Sequence, residues 1–386
     1  MNKQIPLNDE VNIDGILELC NKPCILTKQP PEPPMLPKTS FLPEFLKLIK
    51  PYWHKNKNAK KWTIALVILT VLQIALAVIT IEWTALLFNA LEAHSMAGLI
   101  KQIGTLVVIF LVSIGVTASH MKMKRNLQMG LRAWLTDLVM SKWMTVDTHL
   151  DIASNVTDDN SNPDGRITDD IRRSSDEFFG LSHTLLHSLL TLVTFTQMLW
   201  ILSGVITITL GTATISVYGY LVWIALIYTG FASLFGWNIS KPLTDTTNVM
   251  QNAECNFRFA LAEARENCGK IALNHNEEKE LNKFKGLLQK VNDLYNIQTI
   301  SWVRIVQFNS GYGVLSMAIP VLASAPRYIL EKISLGGLMQ AAGAFQQMCG
   351  ALSWGVNNVG GIATWRTSVE RVLGLIHSLD DLVEKK

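Results

Sequence analysis

Residues Phe178–Ser240 read FFGLSHTLLHSLLTLVTFTQMLWILSGVITITLGTATISVYGYLVWIALIYTGFASLFGWNIS, without one Asp, Glu, Lys or Arg. Burying a charge in hydrocarbon is costly, so an uncharged run of this length points to lipid. One helical crossing needs about 20 apolar residues, and this run holds two crossings and a turn. It reads as a hairpin: a helix over 181–202, a link over Ser203–Ile215, and a second helix over 216–237. The Gly, Thr and Ser of the link suit a short loop at the far surface.

Working outward, the same signal recurs. Of 386 residues, 49% are hydrophobic and only 17% charged, against about 25% charged in a soluble domain. The deficit falls in blocks, as a polytopic membrane protein requires. Trp62–Ile81 and Gln102–Met121 are uncharged and predict helices over 62–90 and 99–122, the second continuing as an amphipathic extension through Trp143. Ile305–Pro326 and Ile333–Trp365 are uncharged too and predict helices over 302–323 and 335–362. Pro242 predicts a kink or restart, and Asn274–Asn276 a break between two long arms. Residues 1–40 form a Pro-rich tail with no signal-peptide pattern, 41–376 the membrane domain, and 377–386 a short tail.

Charge placement orients the chain. Lys and Arg number seven in Lys38–Lys61, eight in Lys122–Arg173, eight in Lys241–Lys290 and four in Arg366–Lys386, against Lys101, Arg327 and Lys332 in the opposite loops. By the positive-inside rule both termini and both long loops are expected in the cytoplasm. The fold class expected is therefore all-α integral membrane, with six transmembrane helices and long cytoplasmic extensions. Cys20-x3-Cys24 lacks a second ligand pair, so no metal site is expected, and no nucleic-acid partner.

The cytoplasmic turns carry a resemblance. Asn162-Pro163-Asp164-Gly165-Arg166-Ile167, followed by Asp169 and Asp170, resembles the NPDQRI-type signature of one ABC-exporter-like membrane domain. That domain is shared by the SbmA/BacA peptide transporters, the YddA-like bacterial ABC proteins and the peroxisomal fatty-acyl ABC half-transporters. Phe257–Leu261 with Arg265-Glu266-Asn267 looks like its helix 4 to helix 5 turn, and Trp365-Arg366 with Arg371–Gly374 like its closing segment. The match covers about residues 45–375, with Gly165 in place of Gln and Asn274-His275-Asn276 in place of the usual Tyr/Gly turn. No G-x-x-x-x-G-K-[ST] occurs, because Gly269-Lys270 is followed by Ile271. Without that loop there is no phosphate cradle, so no ATP site, no nucleotide-binding domain and no enzyme activity are expected.

Candidate residues follow, each with an alternative. Glu82 ends a membrane helix, where an unpaired carboxylate is costly; it is a candidate proton carrier or an interfacial residue. Glu254, Glu263 and Glu266 lie at helical spacing below it, as the inner end of a relay or as partners in local ion pairs with residues such as Arg258. Gln340, Gln346, Gln347, Asn357 and Asn358 make helix 6 the candidate for lining a cavity, or its amides and glycines pack helices. Asn162, Pro163, Asp164 and Arg166 form a coupling turn or a helix cap. His183 and His187 stand four apart, which suits packing better than a two-ligand metal site.

The resemblance implies a bacterial inner-membrane transporter of peptides or other amphiphilic solutes, homodimeric and driven by protons. A permease served by a separate ATPase subunit is the alternative. A membrane scaffold that has lost transport is a third reading.

Overall fold

A computed structural model describes residues 41–144, 165–210 and 213–384. The elements in order are α1 (Phe41–Lys55), α2 (Lys57–Glu92), α3 (Met96–Trp143), a π-helical turn (Arg166–Asp170), α4 (Ile171–Ser203), β1 (Val205–Leu210), β2 (Ala213–Tyr218), α5 (Tyr220–Glu266), α6 (Cys268–Leu273), α7 (Glu277–Ile329), α8 (Leu335–Leu352), α9 (Trp354–Asn357) and α10 (Val359–Glu384). The described residues are almost wholly helical, and the fold class is all-α integral membrane.

Among the described residues, five helices are long and apolar enough to cross a membrane: α2, α3, α4 with its π turn, α5 over Tyr220–Lys241, and α7. The crossing expected over 335–362 is not among them. Three glutamines lower the apolarity of α8, and the helix is interrupted at Ser353 and Asn358. The hydrogen bonding nevertheless runs on, from Ser353 N to Cys349 O at 3.0 Å and from Ile362 N to Asn358 O at 2.9 Å.

Two further differences from the sequence reading have local causes. The Ser203–Ile215 link is not a plain loop: β1 and β2 pair antiparallel, with Val205 opposite Tyr218 and Ile208 opposite Ile215. β-branched residues alternating with threonines and serine favour strands over coil. α5 consequently begins at Tyr220, not near Ser216, and it continues through Pro242 without a restart. α7 likewise carries Pro320 and Pro326 inside it.

The chain divides into two compact units. In the larger, residues 41–233 and 312–384, two apolar clusters hold the helices together. One gathers Leu127, Leu131, Leu135 and Val139, a single face of α3, against Phe45, Ile49 and Tyr52 of α1 and Val369, Leu373 and Ile376 of α10. Spacing by three or four residues puts each set on one stripe, so α1 and α10 clasp α3. Gly130 permits this approach, since a methyl group there would overlap the Tyr52 hydroxyl. Lys142 adds an ion pair to Asp380 at 2.5 Å, and His377 Nε2 lies 2.6 Å from Glu44 Oε1. The second cluster joins Ile81, Phe195, Leu199, Leu221, Phe345 and Met348.

Ile64, Ile68, Val108, Phe110, Leu111, Ile201 and Ile227 stand outward and exposed. An apolar outer surface of this extent matches lipid rather than water.

The smaller unit contains Leu234–Gly311, which is the C-terminal part of α5, all of α6 and the N-terminal part of α7. Its turn is Asn274–Asn276, where His275 takes a left-handed conformation (φ 47°). Lys283 pairs with Glu263 at 3.3 Å, and Gln298 Nε2 donates to Thr247 Oγ1 at 2.9 Å.

Candidate functional site

The site is a cavity of about 700 Å³ in the larger unit. α2 presents Gln73, Leu76, Ala77 and Thr80 to it, α3 presents Ser113, Thr117 and His120, and α4 presents His183, Thr184, His187, Ser188 and Thr191. Each set repeats every three or four residues, so each is one helical face. α8 and α9 contribute Gln347, Gly350, Ala351, Trp354 and Asn357 to the lining, joined by Asn358. Polar side chains inside an apolar helix are costly toward lipid, and here they point into a shared interior.

Hydrogen bonds tie the walls together. Trp354 Nε1 donates to Thr184 Oγ1 at 3.1 Å, and Ser188 Oγ to the Ala351 carbonyl at 2.8 Å. These two bonds lock α4 to the interrupted end of α8. At the other end of α8, Asn89 Oδ1 accepts from Gly336 N at 3.0 Å and Glu92 Oε2 from Leu335 N at 3.1 Å. Ser334 Oγ accepts from Gly337 N at 3.1 Å. The end of α2 thus caps the start of α8, satisfying amides with no partner inside the helix.

Three histidines meet at one side of the cavity. The rings of His120 and His183 are 4.2 Å apart between centroids, and those of His183 and His187 6.2 Å. His120 is 7% exposed. Its Nε2 and both ring nitrogens of His183 are buried without a hydrogen-bond partner, while His187 Nδ1 lies 3.5 Å from Thr191 Oγ1. Among the described residues no group of three or more His, Cys, Asp or Glu is arranged to hold a metal ion.

The residues singled out from sequence separate into those the cavity uses and those it does not. Gln347, Asn357 and Asn358 line it, whereas Gln340 and Gln346 do not. Gln346 is exposed on another face of α8. Glu82 is exposed on α2, outside the cavity lining, since residue 82 follows Thr80 by only two positions and so turns to a different face. Glu254, Glu263 and Glu266 are exposed in the smaller unit, Glu263 paired with Lys283. Asn162, Pro163 and Asp164 lie outside the described residues. Arg166 is buried in the π turn.

That turn meets the closing segment of the chain. Arg371 Nη1 stands 3.8 Å from Asp170 Oδ1, and Ser368 Oγ 3.5 Å from it. Burial pushes the Asp170 carboxyl above its ordinary range, against the opposite pull of Arg371, Arg166 and Arg173 and of the Ser368 hydroxyl. Asp170 precedes the uncharged stretch that begins at Phe178, so this junction sits beyond the membrane crossing.

His120, Thr184, Ser188 and Trp354 were not singled out as a set by sequence reasoning. Their signal is present as polar residues at i, i+4 and i+7 in α4 (Thr184, Ser188, Thr191) and at i, i+4, i+7 in α3 (Ser113, Thr117, His120).

Residues 46–322 match the ABC transporter transmembrane region 2 family. The chain belongs to that family. The protein is multi-pass. The chain is similar to the inner membrane ABC transporter ATP-binding protein YddA of Escherichia coli, 25% identical over 86% of this chain and 60% of that one. It is 24% identical to the ABC transporter D family member 2, chloroplastic, of Arabidopsis thaliana over 88% of this chain and 46% of that protein. An uncharacterized ABC transporter ATP-binding protein of Synechocystis is 27% identical over 71% of this chain and 39% of its own length. The chain therefore spans less than two thirds of these relatives.

Proposed function

We propose that the chain is a bacterial inner-membrane transporter of peptides or other amphiphilic solutes, working as a homodimer with both termini in the cytoplasm and driven by a proton gradient. The observation that supports it is the open cavity between α2, α3, α4, α8 and α9, lined in part by polar side chains. A cavity of about 700 Å³ accommodates a small ligand or one part of a larger solute. Exposed Gln346 supports the dimer, because an amide on a membrane helix is favoured against protein rather than hydrocarbon. Single cysteines along Gln340–Asn357 test the dimer by crosslinking in native-like lipid; a monomeric mass there contradicts it.

A second reading is a membrane subunit served by an ATPase on a separate chain. The Escherichia coli and Synechocystis relatives are named ATP-binding proteins, and this favours it. Under that reading the junction of Arg166 and Asp170 with Ser368 and Arg371 transmits motion from the partner. Arg166→Ala then abolishes transport, whereas under the proton-driven reading its effect is on stability. Solute uptake by reconstituted protein, with and without nucleotide, separates the two.

A further inference from the structure

The histidine cluster carries an inference that rests on the transport reading. We propose that His120, His183 and His187 form a binding site for the carboxylate of the transported solute, occupied together with a proton.

The geometry leads there by elimination. An imidazole always has an N–H to donate, and a neutral one also has a nitrogen that accepts. On His183 neither nitrogen is answered, and on buried His120 Nε2 is not. Buried polar groups without partners are costly, so this arrangement is relieved by a ligand that supplies them. The cavity wall contains no Asp or Glu to receive a donated hydrogen or to attract a cation.

The surrounding charges favour an anion. Lys124, one turn beyond His120 on α3, interacts electrostatically with His120 and His183. Arg125, Asp176 and Glu177 face Lys124 in turn. α2, α8 and α9 bring only neutral groups to the lining.

Two imidazolium rings 4.2 Å apart would repel each other, so the pair takes up one proton rather than two. A carboxylate at the edge of the rings offsets that single charge and accepts from two N–H groups at once. Proton and carboxylate therefore stabilise one another, and by linkage the binding of each tightens the other. The peptide C terminus and the head of a fatty acid share this chemistry.

The test uses the full chain in lipid nanodiscs and calorimetric titration in two buffers of different ionisation enthalpy, which counts protons taken up. The probes are an amphiphilic peptide with a free C terminus, its C-terminal amide, and laurate. At least one carboxylate probe binds with uptake of about one proton, and more tightly as the pH falls from about 8 to about 6. Which one binds names the source. If the peptide acid is the one bound, its amide is weaker by at least about tenfold. His183→Gln weakens the bound acid by a similar factor and removes the proton uptake. Proton uptake by the wild-type protein decides the matter even if that variant does not fold. No binding of either acid, equal binding of peptide acid and amide when laurate does not bind, or binding without proton uptake overturns the proposal. Gradient-driven uptake of the amide peptide would then still leave the transport reading standing.

Discussion

The indole Nε1 of Trp354 donates to the hydroxyl of Thr184 at 3.1 Å, joining α9 to α4 across the cavity. Thr184 Oγ1 also bonds back to the carbonyls of Gly180 at 3.0 Å and Leu181 at 3.2 Å, so the acceptor is held in place. The bond lies at the interruption that follows Ser353, and Asn358 Nδ2 donates to the Trp354 carbonyl at 2.8 Å.

Trp354→Phe and Thr184→Val each remove this bond while keeping most of the packing. Each is expected to cost about 1 kcal/mol, and the double variant less than the sum by about 0.5 kcal/mol or more. Thermal unfolding of the four proteins in the same lipid measures the coupling. Strict additivity would show that the two side chains do not interact.

Gly336 lies against α2 so closely that a methyl group would overlap the carbonyl oxygen of Ala85 and the side-chain oxygen of Asn89. Gly336→Ala is expected to destabilise by about 1–3 kcal/mol through overpacking and loss of the Asn89 cap. Gly337→Ala is the control: its methyl would meet only Ser334 Oγ at 3.5 Å and Ile333 at 3.7 Å. It is expected to be neutral or slightly stabilising, since Ala favours helix over Gly. Equal effects of the two would contradict the close approach.

The membrane character of the chain was legible in its residues because charge is either present or absent. The uncharged runs Trp62–Ile81 and Gln102–Met121 fall inside α2 and α3. The hairpin Val205–Tyr218 was misread because Gly, Thr and Ser signal a loop by composition. The alternation of Val, Ile and Thr that signals strands is short and easily outweighed. Pro242 misled for a related reason: proline disfavours a helix interior, yet α5 runs through it from Tyr220 to Glu266. Glu82 stood out as a carboxylate in an apolar run, but its face is set by a helical phase of two residues from Thr80. His120 did not stand out at all. Its importance comes from the crossing of α3 and α4, which places it against a histidine 63 positions further along the chain.

Asp170 makes a pH-dependent prediction. Its carboxyl is raised above the unfolded value by burial. The stabilisation from its proton is therefore complete below the unfolded value near pH 4 and is lost as the pH rises through the raised folded value. At neutral pH the ionised group is held at a cost that Arg371, Arg166 and Arg173 only partly offset. Asp170→Asn keeps the size and accepts from Ser368, so it is expected to leave stability at pH 7 unchanged or higher by up to about 1 kcal/mol. It also flattens the stability profile just above pH 4. Denaturation at a series of pH values checks this, and a large loss of stability in the Asn variant at pH 7 would show that the ion pair dominates instead.

The central claim is that this chain moves a solute through its own cavity at the expense of a proton gradient. The most direct measurement is uptake of a labelled amphiphilic peptide by liposomes containing the purified chain, with a pH gradient imposed in either direction and no nucleotide. The account predicts gradient-dependent movement that a protonophore abolishes, that Glu82→Gln retains because Glu82 lies outside the cavity lining, and that Gln347→Leu in the cavity wall slows by about tenfold. Absence of gradient-driven movement, with uptake appearing only when an ATPase partner and ATP are supplied, would contradict it.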